Sequence, residues 1–410
     1  MILSEQVKLS AEQVEELALQ DTYEPQKLGI SRDADGCWWS SYYIGADVIN
    51  CKSVEILPKL ENIDFMSLFS YAIMYQPSAE YFSNYYEIYW DRETIISSRL
   101  YDVLTPLLVV QYLHILKQLV GRGLKRDYVV VEENLKSKIK GRILPIKQFR
   151  KNTINKKDNL FYCRHQEYSA NIPVNKVLKK ALDISISLLG DIRSKSTNLK
   201  SNTLLSSELK IIDYFHNVDS NVNVQSVKES KFDKLNTFYP EAIRLAKMLI
   251  KHKENSIAEG GCQKKVPPFK IDMSRIFEVY VLGILESTYP QQIKFQVDGS
   301  YYTKCDYIHK SEGVIIDAKY KQWYSNKSDR DKHYHYLLAD IREVSGYARD
   351  FNILKHFDDS LRSNPPCIII HPGSMMPEFE NKLLEECKNN PIEGFNNFYH
   401  LGIPLPLLQY

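Results

Sequence analysis

The chain has 410 residues, 44% of them hydrophobic and 25% charged, with a formal net charge of +2. That composition belongs to a globular, well-cored protein and excludes a disordered or fibrous one. The near-neutral balance excludes a globally basic nucleic-acid binder, so any polyanion site must come from local clustering. At roughly 150 residues per domain, two or three domains are expected. The seven cysteines are scattered without a CxxC pair. This argues against a zinc site and a disulfide framework, and for reduced thiols in the cytoplasm. Ser4-Glu5-Gln6 interrupts any apolar leader, and the apolar runs read as too short for the ~20 residues of a bilayer span. No membrane partner is expected.

Ser10-Ala11-Glu12-Gln13 is a capping-box pattern ahead of a short helix. Strand-like pieces follow at Cys37-Trp38-Trp39, Ser41 to Gly45 and Val54 to Lys59. Helical spacing takes over from Phe65 to Tyr75 and from Arg99 to Val120, with Gly121-Arg122-Gly123 closing the long helix. Tyr128 to Val131 is a β-branched strand. From Arg122 to Lys157 there are twelve Lys/Arg against three acids, a local net of +9. Neutralised phosphates dominate non-specific affinity for nucleic acid. Lys138, Lys140, Arg142, Lys147, Arg150 and Lys151 are therefore candidate DNA contacts; a solvated face or a dock for an acidic partner explains the same run.

The middle region is helical by period at Val174–Leu189, Leu204–His216 and Pro240–Lys253, and Asp219–Ser230 reads as a loop. After a turn-rich break at Ala258–Lys265 the pattern alternates. A helix is expected from Ser274 to Glu286, then strands at Ile293–Val297, Tyr301–His309 and Val314–Tyr320. A helix from Tyr334 to Phe351 and a buried strand at Pro366–His371 complete an α/β order around a mixed sheet.

The chemistry concentrates in the hairpin formed by the last two strands before that helix. One strand carries Asp306; the other reads Val314-Ile315-Ile316-Asp317-Ala318-Lys319-Tyr320-Lys321. Period-two alternation puts Asp317 and Lys319 on one face, where Asp306 converges from the neighbouring strand. Phosphodiester hydrolysis needs a cation on the phosphate and a deprotonated water. Two carboxylates suit Mg²⁺, with the Ala318 carbonyl as a further ligand, and an ammonium beside them orients the water or stabilises the phosphorane. Lys321 is a further candidate DNA contact. Glu278, in the apolar frame of the preceding helix, is a fourth candidate acid. A strand of alternating charge gives Asp-x-Lys by chance, so the upstream aspartate and the α/β setting carry the reading. His333 and His335 read as surface residues. The sequence has no GxxxxGK[ST] phosphate loop and no Gly-x-Ser-x-Gly elbow.

Several segments together resemble the McrC family, the nuclease subunit of modification-dependent restriction systems. These are Arg122-Gly123-Leu124 with Tyr128, Leu135 and Gly141-Arg142-Ile143; Phe161-Tyr162-Cys163 with Glu167-Tyr168-Ser169 and Asn175 to Lys179; Met273 to Glu278; and Asp306 with Asp317-Ala318-Lys319-Tyr320-Lys321. Tyr43-Ile44-Gly45 and Ile56 to Lys59 fit more weakly. The resemblance implies a PD-(D/E)xK nuclease core of Asp306, Asp317 and Lys319 with Glu278 as an auxiliary acid. It also implies a McrB-like AAA+ GTPase hexamer as partner, whose GTP hydrolysis the N-terminal region stimulates, and double-stranded DNA as substrate. Glu343 stands where the family tends to have Gln, and Cys305 where the motif name has Pro.

The expected fold is α+β and multi-domain. Residues 1–130 form a β-rich partner-docking region, 131–257 a basic segment and helical middle, and 265–410 an α/β PD-(D/E)xK nuclease domain with a mixed sheet. The expected function is that of a cytoplasmic, Mg²⁺-dependent DNA endonuclease subunit of a GTP-dependent, modified-cytosine-directed restriction system. A subunit that only stimulates its partner's GTPase, and a stand-alone repair nuclease, are the alternatives.

Overall fold

The computed structural model describes residues 1–19, 27–74, 84–193, 210–227, 237–257, 264–325, 327–374 and 382–408. The chain packs as two compact units. One unit is built from the chain up to Val110 and from residue 264 onward, the other from Gln111–Arg193 and the described residues up to Ile257. The packing thus draws the division differently from the three consecutive parts expected from the sequence.

In the first unit, β1 (Ile2–Ser4), β2 (Tyr43–Ile49) and β3 (Lys52–Leu57) share a mixed sheet. Asn50 and Cys51 join β2 to β3, both with left-handed backbone (φ 45° and 64°). Such a two-residue loop matches the twist of the strands it connects. α1 (Phe65–Met74) and β4 (Tyr86–Ile88) follow. α2 (Ser98–Gly121) begins in this unit and ends in the other. Contrary to the reading of its apolar runs, it is long and apolar enough to cross a bilayer; 83% of its apolar window is buried in the protein.

The second unit carries β5 (Asp127–Lys136), β6 (Arg142–Ile143) and β7 (Leu160–Ser169) in a three-stranded antiparallel sheet, order β5-β7-β6. α3 (Pro173–Arg193) packs against α4 (Tyr239–Ile257). Buried Asn175 ties the unit together: its amide donates to the carbonyls of Lys125 and Ala170, and its oxygen accepts from Tyr239 Oη. Of the helix expected over Leu204–His216, Lys210–Phe215 is a 3-10 turn and residues 204–209 lie outside the described residues.

Back in the first unit, β8 (Phe269–Asp272) inserts between β2 and β4, antiparallel to both. Gly45 permits this approach, because a Cβ there would meet the Phe269 carbonyl oxygen at 2.0 Å. Asp272 then caps α5 (Met273–Thr288), accepting from the N–H groups of Ser274 and Arg275. Residues Ile276 to Leu285 of α5 are buried without interruption, the mark of a helix covered all round. It packs against α1, and a Cβ at Gly283 would meet the Tyr71 carbonyl oxygen at 2.6 Å.

The C-terminal sheet runs β9 (Ile293–Asp298), β10 (Lys304–His309), β11 (Val314–Ala318), then, past α6 (Tyr334–Tyr347), β12 (Cys367–Pro372) and β13 (Phe398–Ile403). β9, β10 and β11 are antiparallel neighbours; β11, β12 and β13 are parallel. Ile308, Ile315, Cys367 and Ile369 of the sheet bury against Ile341 and Val344 of α6. Tyr301 and Tyr302, expected in a strand, form a tight turn with positive φ (54° and 63°). The helix expected to reach Phe351 ends at Tyr347.

Candidate active site

β10 and β11 pair with Tyr307 opposite Ile316 and Ile308 opposite Ile315. Continuing that ladder by one place sets Asp306 opposite Asp317, so both carboxylates share one face. The Ala318 N–H donates to Asp306 Oδ2 at 2.9 Å. An N–H and its own carbonyl leave a strand on the same side. The Ala318 carbonyl is therefore directed along the Asp306 edge.

β11 ends at Ala318, and Lys319 lies just past it. Its ammonium sits 2.9 Å from Asp317 Oδ2 and 2.8 Å from Glu343 Oε2. Glu343 also accepts from Tyr347 Oη at 2.9 Å. Glu278 reaches the site from α5, held by Arg275 Nη1 at 2.9 Å and by the Gln296 side-chain amide. Tyr307 Oη donates to the Glu278 backbone carbonyl, fixing α5 on the sheet.

Burial sets the electrostatics. It pushes Asp306 up to about 7, and the Glu278 charge adds to the rise against the Ala318 N–H and Lys319. It pushes Asp317 up to about 8, with Asp306 adding and Lys319 opposing. Glu278 is raised by burial, opposed by Arg275 and Gln296 and raised further by Asp317. Burial alone would lower the Lys319 ammonium, but Asp317 and Glu343 outweigh it and hold its pKa above the ordinary value. Mutually repelling buried carboxylates are the condition in which a divalent cation is favoured.

Asp317 Oδ2 is buried with no aligned hydrogen-bond donor, since the Lys319 ammonium lies beside it out of line. Two hard carboxylates and a nearby backbone carbonyl fit Mg²⁺, which binds through one or two carboxylates and keeps several waters. Among the described residues, only Glu133, His165 and Glu167 bring three ligand atoms within 4.8 Å of one another, so the trio Glu278, Asp306 and Asp317 is more open. In the Glu133 group the Lys140 ammonium already stands 3.0 Å from Glu167 and 3.9 Å from Glu133.

The structure therefore brings together Asp306, Asp317, Lys319, Ala318 and Glu278. Lys321 lies nearby, but both oxygens of Asp340 hold its ammonium at 2.8 Å, which ties it to the fold. The exposed Lys138, Lys140, Arg142, Lys147, Arg150 and Lys151 all belong to the second unit. Acids on neighbouring strands offset part of their charge: Lys140 pairs with Glu167 and Lys147 with Glu132. Sequence reasoning gave no site role to Glu343, Asp340, Arg275 or Gln296. Asp340, Glu343 and Tyr347 recur at helical spacing, which was the available signal.

The fold and site belong to a mixed α/β protein with a clustered acid–acid–lysine set. The chain matches the family model described as "McrBC 5-methylcytosine restriction system component" over residues 40–356. That is most of its length, and the chain belongs to this family. Among solved structures, it is similar to a Thermococcus gammatolerans half-complex of McrB AAA+ hexamers with bound McrC. The TM-score is 0.38 and the identity 16%, over 99% of this chain and 94% of that one. A cryo-EM structure of the Thermococcus gammatolerans McrBC complex is similar at TM-score 0.30 and 15% identity, over 71% of this chain and 88% of that one. None of the curated proteins compared with the chain matches it.

Proposed function

We propose that this chain is the DNA-cleaving subunit of a GTP-dependent, modified-cytosine-directed restriction system, a cytoplasmic Mg²⁺-dependent endonuclease of the PD-(D/E)xK type. The observation that supports this best is the convergence of Asp306, Asp317 and Lys319 at the end of one hairpin. Membership of a family described as a 5-methylcytosine restriction system component supports methylated DNA as the substrate class. The Asp306 and Asp317 carboxylates and the Ala318 carbonyl would hold Mg²⁺, which when bound would supply charge to polarise the phosphate and acidify a water. Lys319, kept protonated by Asp317 and Glu343, presents its ammonium to the attacking water and to the oxygens that gain charge in the transition state. Glu278, oriented by Arg275 and Gln296, is the auxiliary acid.

The chain has no phosphate-binding loop of its own. A McrB-like AAA+ GTPase hexamer is the matching source of nucleotide energy, docked by the N-terminal region, residues 1–130. Lys138, Arg142, Arg150 and Lys151 follow the DNA backbone electrostatically.

The test mixes the purified chain with such a partner, GTP, Mg²⁺ and 5-methylcytosine-containing DNA. Wild type cuts; Asp317→Ala leaves DNA whole while GTP turnover persists. Full cutting by Asp317→Ala refutes the reading. Stimulated GTP turnover with DNA intact in wild type marks a purely regulatory subunit, and cutting without nucleotide a stand-alone nuclease.

A further inference from the structure

Beside the carboxylate site, within the same unit, lies an open cleft of about 540 Å³. Its lining includes Trp39, Tyr42, Lys59, Lys321, His333 and Tyr336. Lys321 and Gln322, on the segment that leaves the hairpin, belong to the lining. The Gln6 side-chain amide donates to the Tyr320 carbonyl at 3.2 Å, the Lys59 ammonium lies 5.3 Å from the Tyr320 ring centre, and Lys321 follows directly. Trp39 is fixed on one wall by its indole N–H, which donates to Asp33 at 2.6 Å. Tyr336 also lines the cleft, 59% exposed, its ring centre 5.9 Å from the Lys321 ammonium.

The connection to the chemistry runs along α6. Tyr336, Asp340 and Glu343 fall at positions i, i+4 and i+7, on one face of that helix. Asp340 holds Lys321, and Glu343 holds Lys319. The cleft wall and the partner of Lys319 are therefore about 10 Å apart along one rigid helix. A nucleotide next to the phosphate at Asp306 and Asp317 falls within that reach.

Resting on the nuclease reading above, we propose that this cleft receives one unstacked nucleotide adjacent to the scissile phosphodiester. Its base lies against the aromatic side chains of Trp39 and Tyr336, and its phosphate faces Lys59. The volume lies within the roughly 300–1,000 Å³ of small-ligand sites, enough for one nucleotide but not for stacked duplex. Aromatic walls accept any base, because every base has a π-face, so this subsite positions the strand without reading its sequence. Feeding one strand past Lys319 in this way unstacks the duplex locally, at a cost that is least where a base is already unpaired.

The test uses the full-length chain with Ca²⁺ replacing Mg²⁺ and single-stranded oligonucleotides carrying one 2-aminopurine at successive positions. One position is quenched on binding; Tyr336→Ala removes the quench and Tyr336→Phe restores it. An abasic residue at that position weakens binding to wild type about fivefold or more, the lower end of what one stacked base contributes. It leaves binding to Tyr336→Ala unchanged. Equal emission at every position, or a quench that survives both Tyr336→Ala and Trp39→Leu, overturns the proposal. Cleavage assays separate the two readings. If Asp317→Ala abolishes cutting while Tyr336→Ala cuts like wild type, the subsite falls and the nuclease stands. A Tyr336-dependent quench in a wild type that never cuts removes the nuclease reading alone.

Discussion

At the residue scale, Lys319 is held by geometry rather than by sequence position. Two residues apart on a strand, Asp317 and Lys319 would merely share a face; here the strand has ended, and the ammonium folds back between Asp317 and Glu343. Lys319→Met removes the ammonium that stands 2.9 Å from Asp317. Cleavage is expected to fall at least about 100-fold, the usual loss for one preorganised transition-state donor. Single-turnover cutting measures it. Glu343→Gln keeps an acceptor for Tyr347 and for Lys319, so cutting should stay within roughly tenfold of wild type.

The same carboxylates are expected to make stability, and the proposed Mg²⁺ binding, depend on pH. Asp317 is held near 8 in the folded chain against an ordinary 3.8. A raised acid costs nothing while both states are protonated, and its cost grows as pH rises from about 4 to about 8. In EDTA the chain should therefore melt at lower temperature at pH 8.5 than at pH 5.5. Asp317→Asn should raise Tm at pH 8.5, leave it unchanged near pH 4, and abolish the Mg²⁺-induced shift. Because the cation displaces protons, Mg²⁺ affinity should climb through pH 7–8 and then level off. Thermal melts with and without Mg²⁺ check all of these outcomes; a flat pH response rules out the buried-carboxylate account.

At the element scale, two close approaches set the frame that delivers Glu278. Gly45 lets β8 lie against β2, and Gly283 lets α5 lie against α1. Gly45 also has φ 147°, which an L side chain rarely adopts. Gly45→Val meets both a backbone clash and strain, and should cost about 3 kcal/mol, read from the urea midpoint. Asp272→Ala, which removes the cap of α5, should cost about 1 kcal/mol. The helices α1 and α5 were legible in advance; the strand β8 was not. The capping box at Ser10, the helix over Phe65–Met74, and the hairpin of β10 and β11 follow from local periodicity, which needs no partner. The bend at Tyr301 and Tyr302 was not, because its positive φ falls on residues without glycine's freedom.

At the scale of the whole molecule, the C-terminal sheet is not a separable piece. β8 completes the N-terminal sheet, α5 packs on α1, and Tyr320 Oη donates to buried Glu5 at 2.8 Å. A fragment of residues 265–410 would strand β8 without neighbours and expose the apolar surface of α5. It should aggregate or lack a cooperative melt, whereas the full chain melts cooperatively; circular dichroism and light scattering distinguish the two. A stable, Mg²⁺-binding fragment would show that the N-terminal segment is dispensable to the site.

The sequence by itself determined part of the local pattern: the long helices, several strands, and that Asp306, Asp317 and Lys319 lie on facing segments of one hairpin; β7, β8 and β13 were not legible in it. The legible elements follow from interactions between residues close along the chain. Only the tertiary structure decided what surrounds them. Arg275 and Gln296 on Glu278, Glu343 on Lys319, Asp340 on Lys321 and the interleaving of β8 with the N-terminal strands arise from contacts between segments far apart in sequence. Burial, which raises the carboxylate pKa values, likewise exists only once those segments have closed around the hairpin.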